Sequence, residues 1–275
     1  MKYVFLVPSI ILLALFTLWP LAELGIMSFY RTDFIASTFV GFKNYIDIFK
    51  SGVFFSAGLN SLLYIFWLNI LTVVLPMAIA LWIWRLPKKW LDVSRIFFYL
   101  PSLSAGLIIS QLWKNFFHIG GPINQIIGLV GIEPIRFFSD RVTAISTIAI
   151  IISLSSSSGN LIITLASISA INKDIFDAAQ IDGAGWGKIA MKIVIPHLVT
   201  LYGILSLLSA IGACQIFETI QWLAPFEYAS TMTHRIWLEA FQFSRHGSAA
   251  AMAVVFIFIM AGMAMAKNRI AKESA

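Results

Sequence analysis

The stretch DAAQIDGAGWGKIAMKIVIP, residues 177–196, is a polar, glycine-bearing interruption between two long apolar stretches. A polar segment with a long apolar run on each side is typical of a loop that joins two membrane helices. The loop, taken as residues 171–197, is therefore the place where this chain meets water between two membrane spans.

The composition of the whole chain indicates a membrane protein. Of 275 residues, 59% are hydrophobic and only 12% are charged, far from the averages for soluble domains. In hydrocarbon, the backbone N–H and C=O groups must find hydrogen-bond partners within each segment, so the apolar runs predict helices of roughly 20 residues. The chain is long enough for about six such helices. We predict one all-α membrane domain over residues 1–275. Its spans are placed at about Val4–Phe29, Leu59–Trp84, Ile96–Phe117, Val142–Ala170, Leu198–Leu223 and Ser248–Ala266.

The basic residues predict how these spans are oriented. With a cytoplasmic amino terminus, the inner loops hold more Lys and Arg than the outer ones, and the loop RLPKKWLDVSR, residues 85–95, is the densest. Both termini are therefore expected in the cytoplasm. The formal net charge of +6 is explained by this topology and by anionic lipid headgroups, so no nucleic-acid partner is predicted. Lys2 precedes an apolar stretch as in a signal peptide, but no small-residue cleavage site follows, which favours retention as the first span.

The polar loop itself predicts a short helix from about Lys173 to Ile181, too short to cross a bilayer. Helical periodicity places Ile175, Ala178 and Ala179 on one face, and the small alanines would let another protein approach closely. The glycines at 183, 185 and 187 then let the chain turn. The alternative is that the loop only connects two spans compactly.

No catalytic or metal site is predicted in this chain. Cys214 is the only cysteine, and the four histidines are scattered without the i, i+4 pairing of a helical metal site. The chain lacks a GxxxxGK[ST] phosphate loop, a GxSxG elbow and an HExxH helix. If ATP is used, another subunit binds it.

Polar residues inside the spans are candidates for a solute pathway, because such side chains normally face a bundle interior or an aqueous cavity. The run SLSSSSGN at 153–160 is the strongest cluster; its serines could equally mediate helix packing, whereas the amide of Asn160 can both donate to and accept from a solute. Glu218 follows Gln215 by one turn on roughly the same face, unless the fifth span ends earlier and leaves Glu218 in the headgroup region. The further candidates are Gln111 and Asn69.

The order of residues in the loop resembles a known family. Asp177, Ala178, Ala179, Asp182 and Gly183, followed by Ile195 and Pro196, look like the cytoplasmic "EAA" loop of permease subunits of binding-protein-dependent ABC importers. In that family the loop forms the coupling helix that docks in a cleft of the ATPase subunit, and the resemblance implies this role for 177–183. The family usually has Glu where this chain has Asp177.

The resemblance covers nearly the whole chain and is to the carbohydrate branch of these permeases, the maltose and glycerol-phosphate type. It rests on FVGFKNY at 39–45, Asn60-Ser61, Leu100-Pro101, Trp113, Asn124, Phe138-Ser139-Asp140, Asn160 and the run QIFE at 215–218. Two features depart from the family pattern: Leu154 replaces a tryptophan, and a Thr-Gly-Gly-Gly-Pro run is missing between Leu223 and Tyr228. Both lie on the expected substrate side, so sugar specificity is an implication of the resemblance alone.

The resemblance implies a multi-pass protein of the bacterial inner membrane that forms half of a translocation pathway and works by alternating access. The expected partners are a second permease, more often a different chain than a copy, two ATPase subunits that bind ATP and Mg²⁺, and an extracytoplasmic solute-binding protein. The main alternative is a secondary transporter or channel that acts without ATP, although no internal repeat supports it. A membrane-embedded enzyme is disfavoured by the missing catalytic groups.

Overall fold

The chain is almost entirely helical in the computed structural model, which describes residues 6–32, 37–99, 106–224 and 227–273. The elements in chain order are α1 (Val7–Met27), β1 (Tyr30–Thr32), β2 (Ser37–Phe39), α2 (Lys43–Lys50), α3 (Val53–Ile83), α4 (Lys88–Tyr99), α5 (Gly106–Phe116), α6 (Pro122–Leu129), α7 (Arg141–Ser169), α8 (Lys173–Ile181), α9 (Trp186–Cys214), α10 (Glu218–Leu223), α11 (Met232–Trp237, continued by a π-helical turn Leu238–Gln242) and α12 (His246–Glu273). β1 and β2 form an antiparallel hairpin.

Five helices in the described ranges are long and apolar enough to cross a membrane, namely α1, α3, α7, α9 and the part of α12 from His246 to Met265. They overlap the first, second, fourth, fifth and sixth predicted spans. The predicted third span, 96–117, falls on the end of α4 and on α5, and residues 100–105 between them lie outside the described residues. A sixth span therefore stays a prediction.

The fifth span differs from its predicted bounds at both ends. Its helix begins at Trp186 rather than at Leu198 and ends at Cys214 rather than at Leu223. The end at Cys214 has a tertiary cause, because Thr233 Oγ1 donates to the Cys214 carbonyl and Thr231 Oγ1 donates to the Ile216 carbonyl. The carbonyls at the end of a helix have no partner within the helix and need other donors. Here the hydroxyls of Thr231 and Thr233 supply them.

Prolines in three spans follow wide π-helical turns. These turns are Ala14–Leu18 before Pro20, Asn69–Val74 before Pro76, and Ala190–Val194 before Pro196. Proline has no N–H to give to the carbonyl one turn earlier. A π turn at that point lets the helix continue past the proline with a local change of register.

Buried side chains form clusters in both halves of the bundle. The cluster nearest α8 joins α3, α7 and α9 through Ala80, Ile83, Leu161, Leu165, Ile168, Ile189, Val194 and Leu198. A second cluster, around Tyr64, Ile145 and Ile148, joins α3 and α7 to α10 in the opposite half of the bundle. A third packs α2 and α3 against α11 and α12 through Ile48, Phe54, Ala57, Met232, Ala251 and Met252.

Candidate functional site

The short helix α8 has the bounds expected from the sequence, Lys173–Ile181, and both of its ends are capped. At the start, Asn172 Oδ1 accepts a hydrogen bond from the amide of Asp174, at 3.1 Å. At the end, Gly183 has φ +71°, its amide donates to Gln180 O, and the Ala184 amide donates to Ala179 O. This pair of bonds around a left-handed residue is a Schellman motif, which glycine adopts without strain.

Aromatic rings fix α8 to the ends of two spans. The Phe176 ring lies 5.1 Å from the ring of Trp84, which follows α3, and the Trp84 ring lies 4.9 Å from that of Trp186, the first residue of α9. The guanidinium carbon of Arg85 lies 4.8 Å from the Trp186 ring centroid. These contacts make one joint, the Trp84 joint, between α8, α3 and α9.

The face that α8 leaves exposed differs in one residue from the predicted face. Ala179 is half-buried and packs inward with Phe176, since the two residues are neighbours at i, i+3. Asp177, Ala178, Asp182 and Gly183 are exposed, as is Ile175. Ile181 is 87% exposed. The outward surface of α8 therefore carries two exposed isoleucines, Ile175 and Ile181.

Asn160 lies half-buried on α7, where its side chain meets the π turn of α3. The Leu75 amide bonds to Ile70 O, five residues back, and Pro76 has no amide hydrogen to donate. The next carbonyls in line, those of Leu71 and Thr72, accept instead from Ser157 Oγ at 3.1 Å and from Asn160 Nδ2 at 2.5 Å. These two polar residues of the serine-rich run thus pack α7 against α3, and a solute contact for Asn160 stays a prediction.

The other pathway candidates are dispersed over the molecule. Asn69 opens the π turn of α3, and its Oδ1 accepts from Tyr202 Oη of α9 at 3.2 Å. Gln111 is exposed on α5. Because α9 ends at Cys214, Gln215 and Glu218 do not share the face of one continuous helix as predicted; Gln215 follows α9, and Glu218 opens the separate helix α10. Both side chains are exposed.

Polar groups that the sequence did not identify as site residues hold the segment between α10 and α12 against the bundle. Asn60 is fully buried; its Nδ2 donates to the carbonyls of Tyr228 and Ser230, and its Oδ1 accepts from Arg141 Nε at 2.6 Å. The sequence offered one signal for these contacts, the pair Asn60-Ser61 inside an apolar run. Polar side chains buried in such a run must find hydrogen-bond partners.

The same segment carries buried ionisable groups. His234 is fully buried, with Nδ1 2.9 Å from Ser230 Oγ and Nε2 2.8 Å from Gln221 Oε1. Burial, with a smaller effect of the Arg235 charge, lowers the pKa of His234 to about 4. Arg235 Nη2 lies 2.7 Å from Glu239 Oε1 in a buried ion pair. Over the described ranges, no three His, Cys, Asp or Glu residues are grouped as metal ligands.

Comparison with known proteins gives the family. No family model matches the chain. It is 30% identical over 240 residues to the sulfoquinovosyl glycerol transport system permease protein SmoG of Agrobacterium fabrum, covering 83% of this chain and 72% of SmoG. The chain belongs to the carbohydrate-type permease subunits of ABC importers. A second similar permease is the lactose transport system protein LacF of Rhizobium radiobacter, 29% identical over 79% of this chain and 74% of LacF.

Solved structures show that this permease shares the fold of an ABC importer subunit. A chain of a bacterial ABC transporter involved in the import of the acidic polysaccharide alginate superposes with a TM-score of 0.88 at 22% identity, covering 99% of this chain and 95% of that one. A bacterial alginate transporter in complex with its alginate pentasaccharide-bound periplasmic protein gives a TM-score of 0.86 at 21% identity, with 99% and 94% covered. The permease is thus a multi-pass membrane protein of this fold.

Proposed function

We propose that this permease forms half of a translocation pathway for a sugar or sugar-like solute, together with a second permease subunit of different sequence. The named substrates of its relatives, lactose and sulfoquinovosyl glycerol, and the alginate of the similar importer are all rich in hydroxyl groups. An extracytoplasmic solute-binding protein delivers the solute, as the complex of the alginate transporter supports. The pathway candidates remain Asn160, Gln215, Glu218, Gln111 and Asn69.

The observation that carries the proposal is the exposed, doubly capped helix α8. Its inward face is fixed by Phe176, whereas Ile175 and Ile181 are open to a partner. Apolar side chains exposed on a short helix outside the spans favour a protein partner. We assign α8 as the coupling helix, with residues 177–183 docking in an ATPase subunit. Two such subunits would hold ATP and Mg²⁺, and this chain would hold neither.

The proposed topology has six spans with both termini in the cytoplasm, in the bacterial inner membrane. The region of α4 and α5 would supply the third span. This arrangement places α8 and the basic segment at 85–95 on the cytoplasmic side, in agreement with the positive-inside rule. It places the hairpin, α2 and the segment between α9 and α12 on the outer side.

The mechanism is alternating access, in which ATP-driven movement of the ATPase subunits displaces α8. The Trp84 joint then passes that displacement to α3 and α9 at once, because Trp84 follows one span and Trp186 begins the other. The contact between Asn160 and Thr72 ties α7 to α3. The spans therefore move as a packed unit, since closely packed interiors transmit displacement.

The first test is purification of the complex from its native membrane in mild detergent. Recovery of an ATPase and a second permease is expected. Their reproducible absence from transport-active material would overturn the proposed assembly.

The second test is Gly183→Val. A β-branched residue at φ +71° is strained, because left-handed backbone costs non-glycine residues on the order of 1–3 kcal/mol. We expect ATP hydrolysis to continue while uptake falls. Gly185→Ala is the matched control, because Gly185 has φ −67° and open space around it. Normal uptake by a fully assembled Gly183→Val complex would exclude the coupling assignment.

A further inference from the structure

A basic cavity of about 440 Å³ lies between the hairpin, α2 and the start of α12. Its charged lining residues are Arg31, Lys43, Arg245 and a single carboxylate, Asp47. Within the described ranges, Arg31 and Lys43 form no ion pair. The cavity therefore has an excess of positive charge that the described part of the chain does not neutralise.

The walls of this cavity are held rigidly. Asn44 Nδ2 donates to the carbonyls of Ser28 and Tyr30, at 2.8 and 2.9 Å, which fixes α2 to the start of the hairpin. Gly247 packs so closely on Tyr30 that an added Cβ would lie 1.8 Å from the Tyr30 carbonyl oxygen. The cations are therefore presented on a fixed frame.

The start of α12 adds to the positive potential. The helix begins at His246, and Gly247 and Ser248 of its first turn line the cavity. The aligned peptide dipoles of a long helix place partial positive charge at this end. Arg245 adds a full charge; its Nη1 lies 3.8 Å from Glu239 Oε2, while two-thirds of the Arg245 side chain is exposed.

From these features we propose that the cavity receives a carboxylate side chain of the solute-binding protein when that protein docks. The inference rests on the proposed function, which supplies such a partner and puts this cavity on the outer side. The volume suits one or two side chains. Neither α7 nor α9 contributes to the lining, so the cavity is separate from the contacts at Asn160 and is a docking site rather than part of the solute route.

The first experiment is carbodiimide cross-linking, which joins an amine only to a carboxylate in direct contact. The complete transporter in nanodiscs is mixed with its solute-loaded binding protein. We expect a linked peptide at Lys43 and none at Lys50, an exposed lysine at the end of the same helix that does not line the cavity. Lys43→Arg should remove the cross-link while binding affinity stays within about twofold, because the charge is kept.

The second experiment reverses the charge. Arg31→Glu combined with Lys43→Glu should slow association of the binding protein about tenfold at low salt and flatten its salt dependence, because charges at a docking surface act mainly on the association rate. Lys50→Glu is the control and should have a much smaller effect.

The outcomes separate the cavity from the proposed function. Equal effects of the double variant and Lys50→Glu, or equal cross-linking at Lys43 and Lys50, would overturn the docking site. A charge effect seen only in anionic nanodiscs would assign the cavity to lipid headgroups and also overturn it; the same effect in zwitterionic nanodiscs supports it. If no binding protein binds the unmodified transporter, the proposed function itself fails.

Discussion

The side-chain amide of Asn160 donates a hydrogen bond to the backbone carbonyl of Thr72 across the interface of α7 and α3. Thr72 lies four residues before Pro76, so its carbonyl would normally accept from the amide that proline lacks. Asn160 thus replaces a bond within α3 by a bond between spans. Asn160, a polar residue in the mostly apolar sequence of α7, therefore has a structural role as the donor to the Thr72 carbonyl.

Asn160→Ala should destabilise the permease by about 1–3 kcal/mol, because the buried Thr72 carbonyl is left without its donor. The free energy of unfolding in detergent measures this. Ser156→Ala, an exposed serine on the same helix, is the control and should change stability by less than about 0.5 kcal/mol.

Pro76→Ala tests the cause of the Asn160 effect. It restores a backbone amide to α3, so Asn160→Ala should cost less in that background, and a double-mutant cycle measures the coupling. Additive effects would show that Asn160 and the proline are unrelated. A changed KM for uptake with unchanged stability would instead favour the pathway role.

Trp84→Ala should loosen α8 from α3 and α9. Each aromatic pair contributes about 0.5–1.5 kcal/mol, so losing the contacts with Phe176 and Trp186 should weaken the joint by about 1–3 kcal/mol. The ATP hydrolysed per solute transported should rise as a result. The ratio of ATPase to uptake rate in proteoliposomes is the measurement.

Two variants sharpen the Trp84 prediction. Trp84→Phe keeps a ring and removes the buried indole N–H, which has no hydrogen-bond partner, so the ATPase-to-uptake ratio should stay near that of the unmodified protein. Trp82→Ala, at a neighbouring residue that is 79% exposed, should have little effect. A normal ratio in Trp84→Ala would show that the joint does not transmit movement.

Gly247→Ala should destabilise the outer loops. Alanine is normally preferred to glycine in a helix, but here its Cβ would overlap the Tyr30 carbonyl oxygen, and overpacking typically costs about 1–3 kcal/mol or more. Thermal unfolding of the purified complex measures the effect. Gly58→Ala on α3, where nothing lies within 4 Å of the added carbon, should be neutral or stabilising by up to about 1 kcal/mol. Equal behaviour of the two variants would contradict the close packing at Gly247.

Stability should depend on pH through His234, whose pKa is lowered to about 4 in the folded chain. Between roughly pH 6.5 and 4 the unfolded chain binds a proton at this residue and the folded chain does not, so acidification favours unfolding. Across this range the free energy of unfolding should fall by up to about 3 kcal/mol. Above roughly pH 6.5, His234 should make no contribution to the pH dependence of that free energy.

His234→Gln should remove this part of the pH dependence, whereas His118→Gln, at an exposed histidine, should leave it in place. Unfolding curves at several pH values make the comparison. An unchanged slope in His234→Gln would mean that the buried imidazole does not carry the effect.

Much of the fold followed from local properties of the sequence. Long apolar runs predicted the positions of five described spans, because hydrocarbon requires helices of a minimum length. The bounds of α8 were also predictable, since a polar helix pattern is followed at Gly183 by a residue that accepts left-handed backbone. Such signals depend on neighbouring residues along the chain and need no knowledge of tertiary contacts.

The end of α9 was not predictable in the same way. The run from Gln215 to Leu223 continues mostly apolar, so hydropathy extended the span to Leu223. The hydroxyls of Thr231 and Thr233 donate to the carbonyls of Ile216 and Cys214. Both threonines lie beyond this run in the sequence, so hydropathy does not reveal these contacts. The predicted pairing of Gln215 with Glu218 was lost for that reason.

By itself, the sequence determined that this protein is a multi-pass helical membrane protein with a short polar helix between two spans. Hydropathy, charge and residue order are local quantities, and they are sufficient for those conclusions. Only the tertiary structure decided that Asn160 pairs with a carbonyl beside Pro76, that Ala179 faces inward, and that Arg31, Lys43 and Arg245 share one cavity. Each of these depends on which distant segments meet, and that is set by packing of the whole bundle.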